Sequence, residues 1–230
     1  MRLDKFLCNL KYGSRKEIKD LCKKKQVKVN DKIITDSSFM LDLSKDCVYV
    51  DDKKVFYKEN ITIMINKPQG YICSNVDEAY PSLLNLLPEH LRRLDFNFAG
   101  RLDVDTEGLV IISTDGNLIH SIISPKKEIN KVYYLKTKVK IENLDTLLAG
   151  VNIFDGKNEV YFTKAKEVLL LSENEMLLTI SEGKFHQVKR MIEAISNEVI
   201  FLKRIQIGRL KLPETLKLGD FIEIDPLMIF

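Results

Sequence analysis

A chain of 230 residues with 45% hydrophobic and 30% charged side chains can bury a substantial core, as one large domain or as a small domain plus a medium one. No apolar run nears the roughly 20 residues of a membrane helix, and residues 1–4 lead straight into an amphipathic pattern without a signal-peptide core, so no membrane association and a cytoplasmic location are expected. The formal charge of +3 conceals an asymmetry: residues 1–35 carry 11 Lys/Arg against 4 Asp/Glu, and a basic head on a near-neutral body suits docking to a polyanion.

The head is legible in detail. Leu3, Phe6, Leu7 and Leu10 recur at helical spacing over residues 2–10, and Gly13 ends the turn. Ser14 followed by Glu17 predicts a capping box that opens a second helix. Its inner stripe is Ile18, Leu21 and Cys22, which leaves Arg15, Lys16, Lys19, Lys23, Lys24 and Lys25 outside. Residues 27–34 read as a hairpin around Asn30 and Asp31. A lysine cluster alone is usually a solvated face. Here the spacing, the capping box and the charge asymmetry favour contact with a phosphate backbone, through Arg2, Arg15, Lys16, Lys19 and Lys23. The polar stretch 51–60 is the expected boundary, giving domains over 1–55 and 60–230.

Beyond the boundary, strands are expected at 61–65 and 71–73, and a helix around Pro88 over 83–94. A further strand at 109–113 precedes a turn at Asp115-Gly116-Asn117 and a helix over 118–123. Residues 131–139 alternate as a strand, 141–148 read as helix, strands fall around 160–170 and 176–181, and 185–195 is helical. Irregular mixing of the two types predicts an α+β fold with a mixed, mostly antiparallel sheet. Cys8, Cys22, Cys47 and Cys73 form no Cys-x-x-Cys pair, and His90, His120 and His186 show no zinc spacing, so reduced thiols and no metal are expected.

Gly100-Arg101-Leu102-Asp103-Val104-Asp105-Thr106-Glu107-Gly108 sets an arginine, carboxylates and two glycines on a loop pinned to the apolar run Leu109-Val110-Ile111-Ile112. Asp103 and Asp105 also match a divalent-metal pair. A calcium loop starting at Asp103 fails, because its twelfth position is Thr114. Three more fragments have the same cationic, cleft-like character. They are Asn66-Lys67-Pro68-Gln69-Gly70-Tyr71, Lys131-Val132-Tyr133-Tyr134, and residues 181–191 with His186-Gln187-Val188-Lys189-Arg190-Met191. In an alternating strand either Tyr133 or Tyr134 faces the core, and the pattern alone does not choose.

Taken together and in this order, these fragments resemble the ribosomal small subunit pseudouridine synthase A family of rRNA pseudouridine synthases, with a head similar to an S4-like, alpha-L RNA-binding domain. The resemblance spans essentially the whole chain. It implies isomerisation of one uridine of 16S rRNA to pseudouridine by base flipping, with no cofactor, in a monomer whose partner is 16S rRNA or a small-subunit assembly intermediate. By the same resemblance Asp103 is the catalytic carboxylate, as nucleophile or as base. Lys189 keeps it charged against desolvation, and Tyr133 stacks on the extruded base. Arg101 fills the gap left by the flipped nucleotide, while Lys67, Arg190 and Lys131 meet phosphates or brace the loop. Alternatives from other classes are a non-catalytic rRNA-binding or assembly protein, a synthase acting on 23S rRNA, and a metal-dependent transferase. The chain departs from the family pattern at Ala194-Ile195-Ser196-Asn197, where a glycine is usual and Asn197 is expected to take the left-handed cap. It departs again at residues 218–224, which lack a basic residue often found there.

Overall fold

The computed structural model describes residues 1–154 and 159–230. They divide into two compact units, Met1–Glu59 with Leu87–Asp95, and Asn60–Leu86 with Phe96–Phe230. In the first, helices Leu3–Asn9 and Arg15–Lys23 turn Leu3, Phe6, Leu7, Ile18 and Cys22 inward. The capping box is present: Glu17 N donates to Ser14 Oγ, and Ser14 N donates back to Glu17 Oε2 at 2.7 Å. Strands Lys32–Ile33, Val27–Val29, Val48–Val50 and Lys53–Lys54 form an antiparallel sheet in that order. The polar stretch 51–60 opens inside this sheet, because Asp51 and Asp52 take the left-handed turn and Lys53 pairs with Val50. Arg15, Lys16, Lys19 and Lys23 are all exposed.

The second unit is built on a mixed sheet whose path among the described residues runs Glu167–Ser172, Glu175–Ile180, Lys131–Thr137, Val199–Ile207, Glu107–Ser113, Thr62–Lys67 and Phe221–Glu223. Each neighbouring pair on this path is antiparallel except Val199–Ile207 with Glu107–Ser113, which is parallel, so the α+β expectation holds. The apolar runs of Thr62–Lys67 and Glu107–Ser113 are buried along nearly their whole length, as central strands covered on both faces require. One cover is helix Gly116–Ile123, capped by Asp115, whose Ile119 and Ile122 pack with Met64, Leu109, Ile111 and Ile207. Helix Gln187–Ala194 packs against strand Val151–Phe154, which pairs with Val160–Thr163.

Several elements differ from expectation for local reasons. Residues 71–73 make no strand; Ile72 holds only a single bridge to Ser82. The helix expected over 83–94 splits into a 3₁₀ turn, Leu83–Leu86, and a short helix, Glu89–Arg92, because Pro88 is extended at ψ 156° and caps the second piece. Asn143 at φ +58° delays the next helix to Leu144–Ala149. Ser196, at φ +62°, takes the left-handed cap expected of Asn197. The Asn197 amide instead donates to Val139 O and Lys140 O, stapling two neighbouring segments. All four cysteines are free, and no helix among the described residues is long and apolar enough to cross a membrane.

Candidate active site

Sheet register creates the site. Tyr133 lies opposite Arg204, and Arg204 lies opposite Gly108, so one row crosses three strands on a single face. A Cβ on Gly108, at φ +107°, would run into the Arg204 backbone, so only glycine lets these strands close. The loop that enters at this row carries Asp103. It begins at Gly100, also left-handed at φ +79°, and is pinned by Gly70 N donating to Val104 O at 2.8 Å.

Lys67 fixes the same loop from inside. It is fully buried, and its Nζ donates to Asp103 O at 2.9 Å and Thr106 O at 2.8 Å. Burial pushes its pKa below the ordinary lysine value. The hydrogen bonds of its Nζ run to backbone carbonyls, those of the Asp103 loop among them.

Asp103, Tyr133, Lys189 and Arg101 line one cavity, together with His186 and Arg204. Lys189 Nζ stands 3.2 Å from Asp103 Oδ2 and 2.7 Å from Asp105 Oδ1, and His186 Nε2 is 3.4 Å from Asp103 Oδ1. Burial alone would lower the Lys189 pKa, yet its hydrogen bond to Asp105 and the charges of Asp103 and Asp105 hold it above the ordinary value. Burial works to raise Asp105, and the Lys189 hydrogen bond overrides it, holding that carboxyl below its usual range. The metal-pair pattern of Asp103 and Asp105 therefore encloses an ammonium from this chain. Tyr133 is 6% exposed and faces the cavity, whereas Tyr134 points to the opposite face and meets Phe201 edge-on at 6.0 Å.

The segment over residues 181–186 forms a wall held by polar bonds. Gln187 Nε2 donates to Thr163 Oγ1 at 2.8 Å, Lys184 N donates to Gln187 Oε1 at 2.8 Å, and Tyr161 Oη donates to Glu182 Oε1 at 2.7 Å. Burial and then Glu182 push the Tyr161 hydroxyl up to about 12. Lys131 lines the cavity with its Nζ donating to Ile129 O at 2.8 Å and Ser181 O at 3.3 Å; burial, then the neighbouring Arg204 charge, brings it down to about 8.

Arg190 is not among the residues lining this cavity. Its guanidinium donates to Phe154 O and lies over the Phe185 ring at 5.0 Å, so it sits on the side of helix Gln187–Ala194 that faces strand Val151–Phe154 and not beside Asp103. In the first unit, Arg2 is paired with Asp4 at 2.7 Å, while Arg15, Lys16, Lys19 and Lys23 project from one helix. Sequence reasoning missed Arg204 and the contact of His186 with Asp103. The signal for Arg204 is a charged residue at an inward position of Val199–Ile207, whose neighbours on that face, Leu202 and Tyr133, are buried.

A loop-borne carboxylate with a tyrosine and a lysine in one cavity, in a chain that also carries a capped-helix head, defines a class that comparison with known proteins makes specific. Residues 61–194 match the RNA pseudouridylate synthase family model, and residues 1–47 match the S4 domain. The chain is 40% identical over 231 residues to an RNA pseudouridine synthase of Bacillus subtilis, covering 97% of this chain and 95% of the relative. It is 39% identical to ribosomal small subunit pseudouridine synthase A of Vibrio cholerae, over 96% of this chain and 94% of that one. A crystal structure of pseudouridylate synthase matches with a TM-score of 0.68 at 34% identity, covering 100% of this chain and 98% of that chain. The chain belongs to the RNA pseudouridylate synthase family, an isomerase family, and carries an S4 domain at its N-terminus.

Proposed function

We propose that this chain converts one uridine of 16S rRNA to pseudouridine, with residues 1–55 as the RNA-binding domain and 60–230 as the catalytic domain. The observation that carries the reading is that Asp103 shares one cavity with Tyr133, Lys189 and Arg101. In the reaction the bond from N1 to C1′ breaks and the bond from C5 to C1′ forms; the C5 proton leaves and N1 gains one. Atoms and electrons balance with no oxidant, so the chemistry calls for no cofactor.

Asp103 acts as nucleophile or base, with the Lys189 ammonium 3.2 Å from its Oδ2. Tyr133, which lines the same cavity, is assigned to stack on the flipped base and to take the C5 proton. Arg101, exposed at the cavity, replaces part of the stacking lost when the nucleotide turns out, a loss of a few kcal/mol. The cations of helix Arg15–Lys23 meet backbone phosphates. The small-subunit target is supported by the names of relatives at 34–39% identity, from Vibrio cholerae and Escherichia coli. The enzyme is proposed to act as a monomer, in the cytoplasm, on 16S rRNA or an assembly intermediate.

Mass-spectrometric mapping of rRNA from cells lacking the protein tests this. A pseudouridine missing from 16S rRNA is expected. One missing from 23S rRNA alone would move the target to the large subunit, and an unchanged map would end the rRNA reading.

A further inference from the structure

Arg204 brings to the cavity a charge that the roles above leave unused. It is 1% exposed, and Nε donates to Leu109 O at 2.8 Å. Nη2 is buried and has no hydrogen-bond partner among the described residues. Nη1 lies 3.7 Å from where a Cβ on Gly100 would stand, an ordinary contact distance, so the Asp103 loop begins right beside the guanidinium. The other buried cation there, Lys131, already spends its Nζ on two carbonyls. A buried guanidinium donor left unpaired is costly, and such a group in a cavity points to an acceptor supplied by a ligand.

Position decides which acceptor. Arg101 is exposed at the cavity and open to a backbone phosphate, whereas Arg204 is buried in the sheet beside Tyr133, the residue assigned above to the base. Uracil offers two acceptors, O2 and O4, one on each side of its N3–H donor. Exchanging N1 for C5 at C1′ turns the ring about the axis through N3 and C6, and that turn swaps the places of O2 and O4.

We propose that Arg204 is the base-holding residue: Nη2 donates to one uracil carbonyl before the exchange and to the other after it, so a single donor retains the detached ring in both orientations. Cytosine would bring an amino group to the same donor in one orientation, so Arg204 also selects uracil. The inference rests on the pseudouridine synthase reading of this cavity.

The test uses rRNA transcripts carrying uridine, 2-thiouridine or 4-thiouridine at the mapped target, with single-turnover rates for the parent and for Arg204→Met. Sulfur is a poor acceptor, so each thio substrate is expected to slow the parent roughly tenfold or more. Arg204→Met is expected to be slow on uridine and to lose both thio penalties. Equal slowing of all three substrates by Arg204→Met, or a parent indifferent to sulfur at both positions, overturns the proposal. If Arg204→Met does not fold, Arg204→Lys, which keeps the cation and loses the fork, is read against the same criteria. A parent that forms no pseudouridine on the uridine transcript removes the enzymatic reading, and this inference with it.

Discussion

Lys131 holds a buried ammonium against two backbone carbonyls, beside the positive charge of Arg204. With a folded pKa of about 8, below the ordinary value, the folded chain releases this proton before the unfolded chain does. The cost of burying the charge is present in full below pH 8 and is relieved as pH rises from there toward about 10.4. Denaturant titrations of the parent and Lys131→Met should therefore show the parent gaining stability relative to the variant across that window; a constant difference would contradict the assignment. Gly108→Ala should destabilise by about 3 kcal/mol in the same experiment, since the new methyl meets Arg204 backbone in a region of φ that alanine avoids. A loss below about 0.5 kcal/mol would show that the strands can part there. At this scale Asp103 was legible, because a loop rich in glycine and charge is unusual. Arg204 was not, because Lys203-Arg204 reads as surface until strand register settles which of the two turns inward.

Elements place the carboxylate. Strand Thr62–Lys67 ends in the lysine that holds the Asp103 loop by its carbonyls, and helix Gln187–Ala194 presents Lys189 to the other side of that loop. Lys67→Met removes the donors and leaves the loop carbonyls without them. Its turnover number should fall about a hundredfold, because misplacing a catalytic group by about 1 Å costs that much, with RNA affinity nearly unchanged. Unchanged turnover would mean that the loop holds its own shape. The capping box at Ser14 and the central strands were plain from spacing, since each is a local pattern. The wall over residues 181–186 was not: Thr163, Glu182 and Gln187 are joined by tertiary hydrogen bonds, and no local pattern carries these.

For the whole molecule, the proposed function divides capture and chemistry between the basic head and the rest of the chain. Replacing Arg15, Lys16, Lys19 and Lys23 with glutamine should weaken RNA binding and flatten the slope of log affinity against log salt by about 3, if each cation meets one phosphate. An unchanged slope would take the head out of the interface.

The central claim is that the Asp103 carboxylate begins the exchange in the cavity it shares with Tyr133 and Lys189. Asp103→Asn keeps the shape and removes the anion, and pseudouridine formation on the 16S transcript, read by mass spectrometry under single-turnover conditions, tests it most directly. No detectable product is expected from Asp103→Asn, with RNA affinity and melting temperature close to those of the parent. A variant that still converts the transcript at a rate near the parent's would contradict it.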